Sequence, residues 1–500
     1  MSSLQNVSVK RMFAIEAGEL PDPIKITIPI LANFNPPEYN ERNLQIGRQS
    51  RNLRTYFEKI TDFCHANGGS YFMNYQESRA YIEDASRYGS VLGLENMREM
   101  MVRLGNPQDD LPYVHVAGTN GKGSVIAYLY TTLTGAGYRV GRYISPTLYS
   151  YRERLEVAGE KISREKFARQ ITIISETIRQ MTEEGLPHPT PFEIETAAAF
   201  LYFKEENCDL VLLETGMGGN LDATNIILNT KLAVLVSISM DHMAFLGNTL
   251  GEIAEKKAGI IKEGCRVVTA KQQEEAWKVI ERTCQEKRVP CTVSDSEKAI
   301  TETESVFGQT FTYEEETYHI SLAGIYQKEN AVLALDALKI LDEMGWHTTL
   351  SQRKEGLLAT RWNGRFTVIH EKPLFIVDGA HNPGAAQQMA QSILHYFQGK
   401  RLIYIMGVFA DKDYHTVLEK TAHFAEKIYT IATPDNPRAL PAEELAAAAK
   451  EYNENAEAAD SIEDAVHKAF ALAGEEDVIL AFGSLSFIGL LTSCVEKEKH

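Results

Sequence analysis

Short, continuous apolar runs alternate with longer stretches of helical period along most of this 500-residue chain. The runs Tyr113–Ala117, Asp209–Glu214, Leu232–Ser239, Leu374–Val377, Leu402–Met406, Ile428–Ala432 and Val478–Phe482 predict strands. Most lack the in–out alternation of a half-exposed sheet. Strands buried on both faces read this way, so parallel sheets covered by helices are expected. The stretches Gly123–Ala136, Pro191–Glu206, Leu250–Lys262, Gln327–Met344, Ala385–Phe397 and Glu443–Tyr452 predict the intervening helices. That βαβα order predicts a doubly wound α/β architecture. The uncharged run Val478–Val495 contains Gly483, Ser484, Ser486, Gly489, Thr492 and Ser493. It reads as a strand, a Gly-Ser turn and a buried helix, not as a membrane span.

The pattern breaks at Thr360-Arg361-Trp362-Asn363-Gly364, which predicts a domain boundary near residues 355–364. Residues 1–72 differ from the rest: eight cationic side chains face seven acidic ones, and Pro21, Pro23, Pro36 and Pro37 break regular structure. No chemistry is evident in that segment. A composition of 44% apolar and 24% charged residues excludes a fibrous or mainly disordered chain. The net charge of −17 argues against general binding to nucleic acid or anionic membrane. Anionic ligands would have to be met by locally placed cations and backbone N–H groups. Cys64, Cys208, Cys265, Cys284, Cys291 and Cys494 form no CxxC pair and have no zinc-like His spacing. They read as reduced thiols of a cytoplasmic protein. No signal-peptide pattern is present.

The strongest local signal is Val114-His115-Val116-Ala117-Gly118-Thr119-Asn120-Gly121-Lys122-Gly123-Ser124. A strand runs into a glycine-rich turn and then a helix, which presents backbone N–H groups and a helix N-terminus to an anion; Lys122 adds a point charge. It is not a strict Walker A sequence, since Val116 and Gly123 stand where glycine and a hydroxyl would be required. Glu214 ends an apolar strand just before Gly216, Gly218 and Gly219. Ligands of open α/β sheets bind outside such carboxyl ends, and a carboxylate there suits Mg²⁺. Asp241-His242 and Asp378-Gly379-Ala380-His381-Asn382-Pro383 likewise place an acid and a His at strand ends. Lys256 and Lys257 alone read as a solvated helix face.

Together these motifs resemble the folylpolyglutamate synthase / dihydrofolate synthase family of the Mur ligase superfamily. The resemblance begins at Asn74-Tyr75-Gln76-Glu77 and runs to the C-terminus. In order it comprises LGNPQ (104–108), HVAGTNGKGS (115–124), YISPTLYSYRERLEV (143–157), TPFE (190–193), ETGMGGNLDATN (214–225), SMDHMAFLG (239–247), EKKAGIIKEG (255–264), Gln327-Lys328-Glu329-Asn330, WNGRF (362–366) and DGAHNP (378–383). The fold it implies is α/β: a P-loop-type doubly wound ATP-binding domain over 73–360 and a smaller Rossmann-like C-terminal domain over 361–500. The activity it implies is ligation of L-glutamate to a folate. ATP phosphorylates the acceptor carboxylate, and the glutamate amine displaces phosphate from the acyl phosphate. Both ATP and acceptor are anionic, so this chemistry needs cations and in-line positioning.

By motif, the resemblance implies that Thr119, Asn120, Gly121, Lys122 and Gly123 hold the phosphates, with Asn330, Arg365 and Asp378 contacting the nucleotide. Ser145, Glu214 and His242 are implied as Mg²⁺ ligands, two ions being expected. Lys257 is implied to carry a carbamate, and Lys122, Lys257 and His381 to be the catalytic residues. Thr190, Pro191, Phe192 and Glu193, with Leu221, Asp222 and Ala223, match the pteroate pocket. Four positions depart from the family pattern: Thr147, Lys256, Tyr326 and Asn363 stand where His, Glu, His and Pro are common. None removes a metal or phosphate ligand.

The resemblance leaves open whether polyglutamylation is the sole activity or whether dihydropteroate is also joined to glutamate. A catalytically silent nucleotide-binding relative is the alternative of another class, and retention of Lys122, Ser145, Glu214, His242, Lys257 and Asp378 weighs against it. The expected partners are small molecules alone (ATP, L-glutamate and a folate or dihydropteroate) acting on a cytoplasmic monomer. The segment 1–72 is expected to be either a true extension or untranslated sequence before a start at Met73.

Overall fold

Strand β1 (Tyr113–Ala117) is buried at every position, as its unbroken apolar run requires. It lies at the centre of an eight-stranded sheet with β2 (Val140–Tyr143), β3 (Leu155–Val157), β4 (Glu160–Lys161), β5 (Leu210–Glu214), β6 (Thr230–Leu235), β7 (Arg266–Ala270) and β8 (Cys291–Ser294). The spatial order is β4-β3-β2-β5-β1-β6-β7-β8. Only the β2–β3 and β3–β4 pairings are antiparallel. After β1 the chain passes to β2 on one side, and later to β6 on the other, so the order reverses at β1. That reversal opens a crevice beyond the carboxyl ends of β1, β5 and β6.

The computed structural model describes residues 72–88, 93–434 and 436–498. All of them belong to the unit Ile60–His500. The expected extension 1–72 lies outside the described residues, Phe72 excepted, as does Cys64.

A meander of β9 (Ile300–Ser305), β10 (Gly308–Tyr313) and β11 (Glu316–Ile320) follows. The helix Gln327–Glu343 then packs back on the first sheet, burying Ala331, Leu335 and Leu338 with Val125 and Leu129 of the helix Lys122–Gly135. The second lobe is a six-stranded sheet of β12 (Thr367–Glu371), β13 (Leu374–Val377), β14 (Leu402–Met406), β15 (Lys427–Thr430), β16 (Ala456–Ala458) and β17 (Val478–Phe482), ordered β12-β13-β17-β14-β15-β16. All its pairings but β12–β13 are parallel. Ile376, Tyr404 and Leu480 face one apolar cluster and Phe375, Ile403 and Ile479 the other, so helices cover both faces. The α/β class and the doubly wound parallel sheets expected from the sequence are present.

Boundaries differ in places. The strand expected to reach Ser239 ends at Leu235, and the helix expected to reach Lys262 ends at Ala258. At Gly259 the chain passes so close to Asn220 that a Cβ would lie 2.6 Å from its Cα. Val478–Phe482 is a strand and Ile488–Glu498 a helix, with the Gly-Ser turn between them. Among the described residues no helix is long and apolar enough to cross a membrane.

Candidate active site

At the carboxyl end of β1 the backbone turns through Gly118 (φ +146°) and Gly121 (φ +99°) into the helix beginning at Lys122. A side chain at Gly118 would collide with Val236, and one at Gly121 with the Asn330 amide. Glycine is therefore required here both by conformation and by close approach. The helix has no side-chain N-cap, so its first N–H groups remain available to an anion. Lys122 Nζ folds back over the turn, donating to the carbonyls of Gly118 and Thr119 at 3.3 Å each. Thr119 is pinned by Ser239: its Oγ1 donates to the Ser239 carbonyl and accepts from the Ser239 N–H, both at 3.0 Å.

Three groups of the first lobe share this wall. The Ser145 N–H donates to the Glu214 carboxylate at 3.2 Å. Burial pushes the Glu214 carboxyl up, with Lys122 opposing. Lys257 is buried, and its Nζ donates to the Gly118 carbonyl at 2.6 Å. Burial, then the neighbouring Lys122 charge, bring its amine down to about 7. His242, in the left-handed region at φ 48°, sets Nε2 3.2 Å from Lys412 Nζ.

The second lobe closes the opposite side. Asp378 follows β13, with Arg365, His381 and Asn382 around it. The His381 Nδ1 is 2.7 Å from the Gly379 carbonyl. A carbonyl can only accept, so Nδ1 carries the proton and Nε2 is left as an acceptor. Burial, then Lys412, lower this imidazole to about 4, so it is neutral at neutral pH. Asn382 exchanges two 3.1 Å hydrogen bonds with Asn120 and donates to Asp241 at 3.0 Å. Lys412 pairs with Asp241 at 3.1 Å. Burial raises Asp241, but Lys412, His242 and His381 outweigh it and hold this carboxyl at about 2.

The result is one cavity of about 540 Å³ between the lobes. Gly118–Gly123, Ser145, Glu214, His242, Lys257, Asn330, Arg365, Asp378 and His381 all line it. Among the described residues, no three His, Cys, Asp or Glu side chains converge as a dedicated metal cage. Ser145 and Glu214 side by side nevertheless suit Mg²⁺, which keeps waters and takes one or two carboxylates plus substrate phosphates.

Two family models match the chain in order: the Mur ligase middle domain over residues 116–338 and the Mur ligase glutamate ligase domain over 364–485. The chain is 35% identical over 425 residues to the dihydrofolate synthase/folylpolyglutamate synthase of Bacillus subtilis, covering 83% of this chain and 98% of that one. It belongs to the dihydrofolate synthase/folylpolyglutamate synthase family of Mur ligases. The Escherichia coli dihydrofolate synthase/folylpolyglutamate synthase is 30% identical over 84% of this chain and 95% of its own length. Among solved structures, Mycobacterium tuberculosis folylpolyglutamate synthase complexed with ADP matches with a TM-score of 0.76 at 28% identity, over 84% of this chain and 98% of that one. Escherichia coli FolC in complex with DHPP and ADP matches with a TM-score of 0.74 at 29% identity, over 86% and 99%.

Within this family framework the remaining expected residues sit apart from the cavity. Thr190, Pro191, Phe192 and Glu193 open the helix Pro191–Glu205, where Thr190 and Glu193 close a capping box: Thr190 N–H donates to the Glu193 carboxylate at 2.8 Å. The Phe192 ring packs on Gly216, where a Cβ would lie 2.6 Å from it. Asp222 caps the short turn Ala223–Ile226 and accepts the Met217 N–H at 2.8 Å, while Leu221 is exposed. None of these seven lines the cavity; the loop Thr215–Gly218, which does, separates them from it.

Cavity residues left without a role by sequence reasoning include Arg154, Asp241, Tyr326 and Lys412. Lys412 follows the strand end at Met406 within Asp411-Lys412-Asp413, the same charged-residue-after-strand signal that drew attention to Glu214. Arg154, packed against Glu195 at 3.1 Å, lies in the quoted YRERLEV segment but carried no pattern of its own.

Proposed function

We propose that the chain is an ATP-dependent carboxylate–amine ligase that adds L-glutamate to folates, and that it also joins dihydropteroate to glutamate. One observation carries this reading: phosphate loop, Ser145–Glu214 pair and buried Lys257 face Arg365, Asp378, His381 and Lys412 across a single cavity. The chain spans 98% of the Bacillus subtilis dihydrofolate synthase/folylpolyglutamate synthase, so a complete enzyme of that kind fits within it. Residues 73–360 would form the ATP-binding domain and 361–500 the C-terminal domain, acting as a cytoplasmic monomer.

In this reading the N–H groups of Thr119–Gly123 and the ammonium of Lys122 hold the triphosphate, and Asn330, Arg365 and Asp378 hold the nucleoside end. Ser145, Glu214 and His242 would hold Mg²⁺, which supplies charge neutralisation at the phosphates. Lys122 lies where negative charge develops as the acceptor carboxylate attacks the γ-phosphorus and ADP leaves. The glutamate amine then attacks the acyl carbon, phosphate departs, and an amide remains. His381, neutral and with Nε2 free to accept, can orient the incoming amine. Lys257, with an amine brought to about 7, can lose its ammonium proton and then add carbon dioxide as a carbamate with release of a second proton. That converts a buried cation into an anion beside the phosphate loop. Thr190–Glu193 and Leu221–Ala223 would bear the pteroate pocket behind the loop Thr215–Gly218.

Incubating purified protein with ATP and L-glutamate, with dihydropteroate and tetrahydrofolate in separate reactions, tests this. Amide product from both acceptors is expected. Product from tetrahydrofolate alone restricts the activity to polyglutamylation, and product from neither refutes the reading.

A further inference from the structure

The Asp378 carboxylate gathers three donors from three parts of the chain. The Ala380 N–H donates to one oxygen at 2.7 Å. The Phe366 N–H donates to the other at 2.7 Å, joined there by the Tyr326 hydroxyl at 3.1 Å. Ala380 belongs to the same loop and Phe366 to the segment entering β12. Tyr326 comes from the first lobe, at the N-cap of the helix Gln327–Glu343. It is thus the first-lobe member of the set.

Both ends of this contact are held in conformations that need support. Phe366 is in the left-handed region at φ 46°, uncommon for a bulky residue, and is fixed by burial against Tyr396 and Phe397. Its N–H is thereby aimed at Asp378. On the other side Gly324, at φ +95°, leaves room for the Tyr326 ring: a Cβ there would lie 2.9 Å from the ring edge. The Gly324 carbonyl accepts from the Gln309 amide at 2.6 Å and from the Gln327 N–H at 2.9 Å, which anchors the turn before Tyr326. Burial keeps the phenol protonated, so it remains a donor.

The consequence reaches Arg365. Its guanidinium lies against Gly379, immediately after Asp378, and donates to the Gly364 carbonyl at 3.1 Å. Tyr326, Asn330, Arg365 and Asp378 line the same cavity. We propose that Tyr326 is a positioning residue for the nucleotide: its hydroxyl ties the first lobe to Asp378 and so holds Asp378 and Arg365 at the cavity wall before nucleotide arrives. This rests on the reading of the cavity as the ATP site. A nucleotide gripped by both lobes binds with an apparent Kd divided by the fraction of molecules already closed, so loss of the tie weakens binding. It leaves turnover of the bound complex nearly unchanged, because there the ligand itself bridges the lobes.

The test uses full-length protein, with ADP as the titrant and ATP as the varied substrate. Tyr326→Phe is expected to raise the ADP Kd and the ATP KM about tenfold, as loss of one hydrogen bond to a charged group implies, with kcat within about twofold. In an Asp378→Asn background the same substitution is expected to change the ADP Kd less than about twofold, since the charged partner is gone. Unchanged Kd and KM, or a fall in Tm alone, overturns the proposal by making Tyr326 a packing residue. An undiminished effect in the Asp378→Asn background overturns it as well. Absence of ADP binding by the unmodified protein overturns the ATP-site reading and this proposal together.

Discussion

Asn120 and Asn382, 262 positions apart in the chain, meet between the lobes and each donates to the other at 3.1 Å. Asn120 belongs to the glycine-rich turn Gly118–Gly123, and Asn382 caps the helix Pro383–Tyr396 by accepting the Ala385 N–H at 2.8 Å. The capping residue of one lobe is therefore also one of the contacts that close it on the other.

These two roles separate under substitution. Asn382→Ser keeps a capping oxygen but loses the reach to Asn120 and Asp241. It is expected to leave Tm nearly unchanged and lower kcat/KM for ATP about tenfold, as loss of one or two hydrogen bonds implies. Asn382→Ala removes the cap too and is expected to cost about 1 kcal/mol of stability more, measured by denaturant unfolding.

Glu214 carries a conflict between stability and activity. Its carboxylate is buried, and burial pushes its pKa up, so the ionised form is disfavoured. Glu214→Gln is expected to raise Tm while lowering Mg²⁺-dependent ligase turnover by about a hundredfold or more. A variant retaining full turnover would remove Glu214 from the proposed Mg²⁺ ligands.

Lys257 sets a pH dependence. An ordinary lysine amine has a pKa of 10.5, whereas this one is at about 7, chiefly through burial and then Lys122. Only the neutral amine adds carbon dioxide, so carbamate should accumulate as pH rises from roughly 6 to roughly 8. A ¹³C NMR carbamate signal from protein equilibrated with labelled bicarbonate is expected to grow over that range and to vanish in Lys257→Ala.

The Lys412–Asp241 pair governs acid stability. Asp241 is held below its ordinary value of 3.8, at about 2. Its contribution to stability is present above pH ~4 and is lost as pH falls towards ~2. Lys412→Met leaves Asp241 enclosed without its partner and is expected to cost about 3 kcal/mol at neutral pH, read by chemical denaturation, while flattening the acid limb.

Much of this fold was legible because burial on both faces writes itself as unbroken apolar runs. Tyr113–Ala117 and Leu374–Val377 are strands with those same bounds. The helix Arg164–Glu183 escaped notice because the β-branched run Ile171-Thr172-Ile173-Ile174 in its middle obscures the helical period. The meander β9–β11 escaped notice because its strands are rich in Thr and Glu and offer no continuous apolar run; β10 alternates instead, burying Gln309, Phe311 and Tyr313. In the cavity, residues carried by local motifs were found. Tyr326 and Lys412 were not assigned roles, because their partners Asp378 and Asp241 are 52 and 171 residues away. Thr190-Pro191-Phe192-Glu193 shows a reverse case: its Thr-x-x-Glu spacing is a capping-box signature and was assigned only to a substrate pocket.

The central claim is that ATP activates the acceptor as an acyl phosphate in this cavity. It is tested most directly by following oxygen from the acceptor. Dihydropteroate labelled with ¹⁸O in its carboxylate is incubated with ATP, L-glutamate and the enzyme, and the released phosphate is analysed by mass spectrometry. The account predicts one ¹⁸O transferred to phosphate for each amide formed. Amide formed with unlabelled phosphate would contradict it.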